Sequence, residues 1–309
     1  MRVFKYRNEV LDMEFKKILV AGSGVLGSQI AFQTAFFGYD VNVYDINDDA
    51  IATAQPRMQS LSNTYGDYFN DTARAAKALE SLSFYTDLAQ AVSDVDLVIE
   101  AVPERIEIKQ SFYEQLAKVA PAKTVFASNS STLLPSQFAQ FTGRPEKFLA
   151  LHFANTIWKN NTAEVMGHEG TDPQYTEQVI EFARTIGMIP FHLKKEQPGY
   201  ILNSLTVPFL SAGMALWANG IADPHTIDKN WMISTGSPSG PFGFLDIVGM
   251  ETPYNLNMMK ADHDPMAKII AEKIKAEYID LGKMGVSSGE GFYKYPNPAY
   301  MDKDFLKHN

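Results

Sequence analysis

A glycine-rich turn between an apolar strand pattern and an apolar helix pattern constrains the fold of this chain more than any other segment. The motif GSGVLG, residues 22–27, directly follows the run KILVA at residues 17–21. In such a context the first glycine permits a tight turn, the second lets backbone amides approach a pyrophosphate, and the third lets helix and strand pack closely. The motif therefore predicts a dinucleotide site. Its candidate residues are Gly22, Gly24, Val25, Leu26 and Gly27.

Short apolar runs alternate with longer amphipathic stretches up to about residue 195. This alternation predicts an α/β fold of the Rossmann type, with a doubly wound, mostly parallel sheet covered by helices. The predicted strands are residues 17–21, 41–45, 82–86, 96–102, 124–129, 148–153 and 188–193. Residues 47–80 are too long for one crossover helix, and Asn63, Gly66 and Asp67 indicate a break. We therefore expect an inserted helical hairpin.

The alternation of strand and helix patterns ends at about Glu196. Gln197, Pro198 and Gly199 predict a hinge, and the residues from there to about Gly282 are helical in pattern without clear strands. We expect a dinucleotide-binding domain over residues 1–196 and a smaller all-helical domain over residues 197–309. The uncharged helix that follows the hinge is either the interface of a homodimer or a helix buried within its own domain.

Charge and cysteine content exclude several functions. The chain has 27 Lys and Arg against 36 Asp and Glu, a net charge of −9, and no cationic run that would attract nucleic acid. The absence of cysteine excludes disulfides, thiolate metal sites and a cysteine nucleophile. The first sixteen residues lack the apolar core of a secretory signal, so we expect a cytoplasmic protein.

Neither a membrane span nor a metal site is expected. The uncharged stretches 18–39 and 197–222 are long enough to span a bilayer, but glycine and amide residues interrupt both. Buried helices of a soluble protein explain them. The histidines are scattered, and residues 262–264, Asp-His-Asp, read as a solvated turn before a proline.

An acidic residue ends the second predicted strand. Asp45 follows the glycine motif at about the spacing of a carboxylate that binds both ribose hydroxyls of an adenosine. Such a carboxylate repels a 2′-phosphate, so the sequence predicts NAD rather than NADP. A glycine turn with an aspartate that caps the next helix is the alternative, although strand, turn, helix and acid occur together here.

One of the six histidines stands where ligands collect in a parallel sheet. His152 lies at the carboxyl end of the sixth predicted strand, and residues 162–167 read as a returning strand. A turn centred on Trp158 would place Glu164 opposite His152, about 5 Å away at Cβ. This pair suggests a general base with an orienting carboxylate. The alternative interpretation is a half-buried histidine in a hairpin that has an acid opposite it by chance.

Motifs in the same order and spacing identify a resemblance over residues 17–295. The chain resembles the L-3-hydroxyacyl-CoA dehydrogenases, including the 3-hydroxybutyryl-CoA type. The matching motifs are GSGVLG (22–27), VIEAVPERIEIK (98–109), FASNSSTL (126–133), LHFAN (151–155), AEV (163–165), PGYILNSL (198–205), PFGFLDIVGMET (241–252) and GEGFYKY (289–295).

The resemblance implies an NAD-dependent enzyme that acts on a small-molecule substrate, preferably an acyl-CoA thioester. It implies His152 as general base, Glu164 as its orienting partner, and Ser131 and Asn203 as hydrogen-bonding groups on the substrate oxygens. The positions that the resemblance places at the nicotinamide end of NAD are Glu104, Lys109, Asn129 and Asn155.

Two departures from the family pattern bear on the substrate. The family reads His-Phe-Phe-Asn-Pro at the catalytic strand end, whereas this chain has Ala154 and Thr156. In relatives, lysines on the helical hairpin help to hold the CoA phosphates, but residues 60–71 contain no basic residue, and Asp67 stands near an expected lysine. Arg57, Arg74 and Lys77 are the only nearby cations.

These departures leave three hypotheses. A 3-hydroxyacyl-CoA dehydrogenase leads, and a dehydrogenase of a CoA-free 3-hydroxy acid, such as a carnitine-like or sugar acid, is the alternative. A non-catalytic NAD-binding structural or sensor protein is the third, because a fold can outlive its function. That third hypothesis predicts a damaged set of reactive residues, which this sequence does not have.

Overall fold

The computed structural model describes residues 15–307 and divides the chain into two compact units. The first unit extends to Ile201 and the second begins at Leu202. The predicted domain boundary lies slightly earlier, after Glu196. The expected absence of a secretory signal concerns a segment most of which lies outside the described residues.

The first unit contains one sheet of eight strands. The strands are β1 (Lys17–Ala21), β2 (Asp40–Tyr44), β3 (Leu82–Tyr85), β4 (Leu97–Glu100), β5 (Val125–Ser128), β6 (Phe148–Phe153), β7 (Thr162–Gly167) and β8 (Ile189–Leu193). Their order is β3-β2-β1-β4-β5-β6-β7-β8, and only the pair β6 and β7 is antiparallel. The order reverses between β1 and β4, which is the switch point where such sheets bind ligands. The predicted doubly wound fold is confirmed.

Helices cover both faces of this sheet. They are α1 (Val25–Phe36), α2 (Asp48–Phe69), α3 (Thr72–Glu80), α4 (Leu88–Val92), α5 (Ile106–Val119) and α6 (Pro173–Thr185). Successive residues of a strand face opposite sides, so Ile18 and Val20 belong to one core and Leu19 and Ala21 to the other. Burial on both faces explains why β1 is apolar from Ile18 to Ala21.

The inserted hairpin consists of α2 and α3, but its break lies later than predicted. Gly66 is inside α2, and the helix ends at Asn70, which adopts the left-handed conformation at φ 51°. Asp71 then caps α3 by accepting a hydrogen bond from the Arg74 backbone N–H. Gly66 packs closely against α3 and does not form a turn: a Cβ atom there would lie 3.1 Å from Thr72 Cγ2, so Thr72 would have to shift by a few tenths of an ångström.

The register of the antiparallel pair β6 and β7 places two predicted site residues opposite each other. β6 runs to the carboxyl edge of the parallel strands, and β7 returns beside it with His152 directly opposite Glu164. The predicted register of these two residues is confirmed. A shift by one residue would turn Glu164 to the other face of the sheet.

The second unit is helical, as predicted. Its helices are α7 (Tyr200–Ala218, whose first two residues belong to the first unit), α8 (Pro224–Thr235), α9 (Pro241–Val248), α10 (Glu251–Met258) and α11 (Pro265–Glu277). Two buried carboxylates organise this unit. Asp228 accepts the backbone N–H groups that begin α9, and Asp246 accepts those of Phe292 and Tyr293. These contacts explain the PFGFLD and GEGFYKY motifs structurally.

The three glycines of the turn meet different surroundings. Gly22 adopts φ 100°, and a Cβ atom on it would lie 2.4 Å from the Ala101 carbonyl oxygen. A Cβ atom on Gly27 would lie 1.9 Å from the Gly22 carbonyl oxygen, whereas none of the protein lies within 4 Å of one on Gly24. Gly22 and Gly27 are therefore needed for packing, and Gly24 leaves open space.

This difference predicts effects of unequal size for two alanine substitutions. Gly27→Ala should lower the free energy of unfolding by about 1–3 kcal/mol or more, because the methyl group overlaps backbone that cannot move aside freely. Gly24→Ala should change it by less than about 0.5 kcal/mol, since its site is open and its φ suits alanine. Urea unfolding of both variants checks this. Equal destabilisation by the two substitutions would contradict the packing argument.

Candidate active site

The glycine turn and Asp45 form a site at the carboxyl ends of β1 and β2. Asp45 Oδ2 accepts hydrogen bonds from the Ser23 backbone N–H at 2.7 Å and from Ser23 Oγ at 2.6 Å. Its Oδ1 accepts one from the Ile46 N–H at 2.8 Å. Arg57 donates to the Ser23 carbonyl oxygen at 2.8 Å. The carboxylate is thus fixed on the turn that a dinucleotide would approach.

These residues fit a bound dinucleotide. The open space at Gly24 adjoins the start of α1, where unpaired N–H groups favour a pyrophosphate. Val25 is 60% exposed in the first turn of this helix, and Leu26 is half-buried. Asp45 keeps lone pairs for ribose hydroxyls, and its negative charge opposes a 2′-phosphate.

His152 lies between two oxygen groups at the carboxyl end of β6. Its Nδ1 is 3.0 Å from Glu164 Oε2, and its Nε2 is 3.1 Å from Ser131 Oγ. Since a carboxylate only accepts, this network assigns the proton to Nδ1 and leaves the Nε2 lone pair toward Ser131. Both members of the His152–Glu164 pair are buried, at 6% and 5% exposure.

The carboxylate of Glu164 has a second fixed contact. Its Oε1 accepts the backbone N–H of Ile201 at 2.9 Å. This N–H belongs to the first turn of α7, where backbone donors have no partner within the helix. Both oxygens of Glu164 are therefore held, one by the helix start and one by the imidazole.

Glu104 organises the loop that carries Ser131. Its Oε1 accepts hydrogen bonds from Ser130 Oγ at 2.5 Å, Ser131 N–H at 3.0 Å and the N–H and Oγ1 of Thr132 at 2.9 Å each. Burial opposes the charge on Glu104, but the Ser130 hydrogen bond and the nearby Lys109 outweigh it and lower the pKa to about 2. A charged Glu104 thus fixes the position of Ser131.

Lys109 lies in a buried ion network that the sequence did not reveal. Its Nζ is 2.6 Å from Glu100 Oε1 and 3.2 Å from Glu104 Oε2. Glu100 also accepts from Tyr113 OH at 2.9 Å and from Ser128 Oγ at 2.7 Å. Lys109 and Glu100 are at most 1% exposed. The one available signal was a glutamate within the apolar strand pattern of β4.

The predicted asparagines lie in different surroundings. Asn129 is buried and accepts the Phe153 N–H through Oδ1 at 2.9 Å, which ties the end of β5 to the end of β6. Asn155 is exposed in the turn after β6, where its carbonyl oxygen accepts from Asn160 Nδ2 at 2.8 Å. Asn203 lies on α7 in the second unit.

The turn after β6 departs from the family pattern in a defined way. Thr156, where the family has proline, adopts φ 62°, a conformation that is costly for a β-branched residue. Gln29 of α1 holds it by accepting the Thr156 N–H at 2.8 Å and the Ile157 N–H at 3.3 Å. Trp158 packs on Tyr65 of the hairpin, with ring centroids 5.5 Å apart.

Over residues 15–307, no group of three or more His, Asp or Glu side chains is placed to hold a metal ion. The described residues can transfer a proton through the imidazole of His152, whose two ring nitrogens have fixed partners.

Family models match nearly the whole described chain. Residues 17–197 match the 3-hydroxyacyl-CoA dehydrogenase NAD binding domain, and residues 199–295 match the C-terminal domain of the same family. The first model includes the glycine turn, Asp45, His152 and Glu164. Since the turn geometry fits a dinucleotide, NAD is the cofactor of this protein.

Individual relatives differ in what their names say they act on. The mitochondrial hydroxyacyl-coenzyme A dehydrogenase of Rattus norvegicus is 33% identical over 91% of both chains. The 5-formyl-3-hydroxy-2-methylpyridine 4-carboxylate 5-dehydrogenase of Mesorhizobium japonicum is 30% identical, also over 91% of both. A solved diketoreductase, described as acting on dicarbonyl compounds, is 54% identical over 91% of this chain and 99% of that chain, with a TM-score of 0.88. This chain belongs to the 3-hydroxyacyl-CoA dehydrogenase family of NAD-dependent oxidoreductases.

Proposed function

We propose that this enzyme interconverts a 3-hydroxy and a 3-oxo carbonyl compound, with His152 as its acid and base. The observation that carries the proposal is the imidazole fixed between Glu164 and Ser131. During oxidation, the hydroxyl proton of the substrate passes to His152 Nε2, and Glu164 stabilises the imidazolium that forms. The chemistry that bound NAD would supply is acceptance of the hydride released from C3.

Ser131 and Asn203 complete the proposal as donors to the substrate oxygens. Ser131 Oγ and His152 Nε2 are 3.1 Å apart, so one substrate oxygen can contact both. The role of Asn203 rests on the family resemblance. We propose that Glu104, Lys109, Asn129 and Asn155 line the nicotinamide end of the site, and that Glu104 does so partly by fixing the Ser131 loop.

We propose a compact 1,3-dicarbonyl compound without CoA as the substrate. Two of the three cations closest in sequence to residues 60–71 already have other partners. Arg57 donates to the glycine turn, and Arg74 donates to the Phe36 carbonyl oxygen while its guanidinium lies 4.2 Å from the Phe36 ring centroid. The hairpin residues 60–71 contain no basic residue, so a CoA phosphate would meet acidic surroundings. The 54% identity to a diketoreductase supports the same substrate class.

An acyl-CoA thioester is the second candidate. It is favoured by the family itself and by relatives such as the rat enzyme, whose name states a hydroxyacyl-coenzyme A substrate. A 3-oxoacyl thioester contains the same 1,3-dicarbonyl unit, so His152 and Ser131 would act on it alike. The two candidates differ only in the group that the protein must hold beyond the reacting carbons.

Replacing His152 tests the acid and base. His152→Ala should lower kcat by a factor of about 100 to 10,000, because the hydroxyl proton then has no positioned acceptor. Fluorescence titration with NADH should give an unchanged Kd, since Asp45 and the glycine turn are untouched. Retention of near wild-type kcat would show that another group moves the proton.

The substrate candidates are separated by following NADH oxidation with acetoacetyl-CoA, ethyl acetoacetate, acetoacetate and 3-dehydrocarnitine. We expect kcat/KM for a CoA-free compound to exceed that for acetoacetyl-CoA by at least about tenfold, which is about 1.4 kcal/mol of transition-state stabilisation. In Asp67→Lys the KM for acetoacetyl-CoA should fall about threefold at low salt and the KM for ethyl acetoacetate should not change. A clear preference of the wild-type enzyme for acetoacetyl-CoA would favour the thioester.

We propose that the enzyme is a homodimer formed through its C-terminal helices. Only 22% of an 18-residue window of α7 is buried, and its exposed apolar residues include Leu205 at 68%. Leu205→Glu should shift the sedimentation coefficient from that of a dimer toward that of a 34.4 kDa monomer. Ile46→Glu, at a comparably exposed site of the first unit, is the control and should remain dimeric. A monomeric wild-type enzyme would exclude this assembly.

We propose a cytoplasmic location. The absence of cysteine is compatible with a reducing compartment. Within residues 15–307, α7 alone is long and apolar enough to cross a bilayer, and one such helix is weak support for a membrane span. Cell fractionation of the native host, with recovery in the membrane pellet as the contrary result, tests the location.

A further inference from the structure

An aromatic ring covers one face of the His152 imidazole. Tyr200 stacks on it with ring centroids 4.4 Å apart and an angle of 11° between the ring planes. Tyr200 is 1% exposed, and its hydroxyl donates to the Ser130 carbonyl oxygen at 2.8 Å. The same side chain thus contacts the imidazole and the loop that carries Ser131.

The backbone at Tyr200 is held in an unusual conformation. Its φ is 54°, directly after Gly199 at φ 77°. An L-residue with a bulky side chain rarely adopts this region, and such strain persists where surrounding contacts enforce it. The contacts here are the stack on His152, the hydrogen bond to Ser130, and the adjacent Ile201 N–H, which binds Glu164 Oε1.

We propose that Tyr200 is a positioning residue that holds the imidazole of His152 in plane with Glu164 and favours its protonated form. The inference rests on the proposed role of His152 as acid and base. The electron-rich face of an aromatic ring attracts a cation placed above it. An imidazolium at His152 would then be stabilised at its edge by Glu164 and on its face by Tyr200.

Titratable groups act on the imidazole ring, or on its Ser131 partner, from three elements. Glu164 faces the ring from β7, Tyr200 faces it from the start of α7, and Glu104, in the loop after β4, acts through the Ser131 backbone. Glu100 and Glu196 also act on Tyr200. Burial and the nearby glutamates raise the pKa of Tyr200. Its hydroxyl therefore stays protonated and remains a donor to Ser130, so the phenol is a neutral aromatic face and not a second base.

Two substitutions separate the stack from the hydroxyl tether. Tyr200→Leu removes the aromatic face at roughly similar bulk, and Tyr200→Phe keeps the face and removes the tether. Imidazole titration by NMR, with ¹⁵N-labelled histidine and His152→Ala to assign the signal, needs no substrate. We expect Tyr200→Leu to lower the titration midpoint of His152 by about half a pH unit or more. Tyr200→Phe should leave it within about 0.2 pH units.

A matched control exists in the second unit. Tyr293 stacks on His225 with centroids 4.3 Å apart and 6° between the planes, and neither residue is among those proposed to act on substrate. Tyr293→Leu should lower the melting temperature and leave the His152 midpoint unchanged. A shift produced equally by Tyr293→Leu would mean that destabilisation, and not the ring on His152, moves the titration.

Two further measurements keep the inference testable. In the wild-type enzyme the His152 ring protons should be shifted upfield by the ring current of Tyr200, which requires no variant to fold. In kinetics, the midpoint of the pH profile of kcat/KM should fall in Tyr200→Leu along with the NMR midpoint. An unshifted wild-type spectrum, or an unchanged midpoint in a folded Tyr200→Leu, overturns the role of Tyr200. An enzyme inactive on all dicarbonyl substrates would overturn the proposed function and leave the NMR result standing.

Discussion

The antiparallel pairing of β7 with β6, in a sheet whose other pairs are parallel, places the two residues of the proposed acid–base pair opposite each other. β6 ends at the carboxyl edge of the sheet, where ligands bind, and β7 returns beside it so that Glu164 lies opposite His152. A parallel neighbour would need a long crossover and would not return a carboxylate to that place so directly. The imidazole therefore acquires its tautomer from backbone register, which side-chain motion alone cannot change.

A buried ion network fixes the loop that carries Ser131. Lys109 lies between Glu100 and Glu104, and Glu100 at the end of β4 also accepts hydrogen bonds from Tyr113 of α5 and from Ser128 at the end of β5. Buried ion pairs add little net stability, but removal of one partner is costly because a charge is left uncompensated. The network is better understood as fixing the loop with Ser131, 3.1 Å from His152, than as strengthening the fold.

Local patterns predicted much of this structure. Short-range sequence patterns were sufficient to predict three features: the alternation of strands and helices, the glycine turn and the β6–β7 register. Gly66 does not mark the break in the hairpin, because it packs against Thr72, a contact that only the folded hairpin shows. Three sets of contacts join residues that are far apart in the chain. They are the hydrogen bonds to Glu100, those of Gln29 with the Thr156 turn, and the stack of Tyr200 on His152. No local pattern encodes such contacts, whereas the family resemblance supplied Ser131, Glu104 and Lys109.

The hydrogen bond between Glu164 and His152 is the central claim, and single-turnover hydride transfer in Glu164→Gln tests it most directly. The amide keeps the shape of the side chain but cannot stabilise an imidazolium or enforce the same tautomer. We predict that hydride transfer slows by about 100-fold or more, a loss of the size seen when general acid–base catalysis is removed, while NADH affinity is unchanged. Hydride transfer at the wild-type rate in Glu164→Gln would contradict the account.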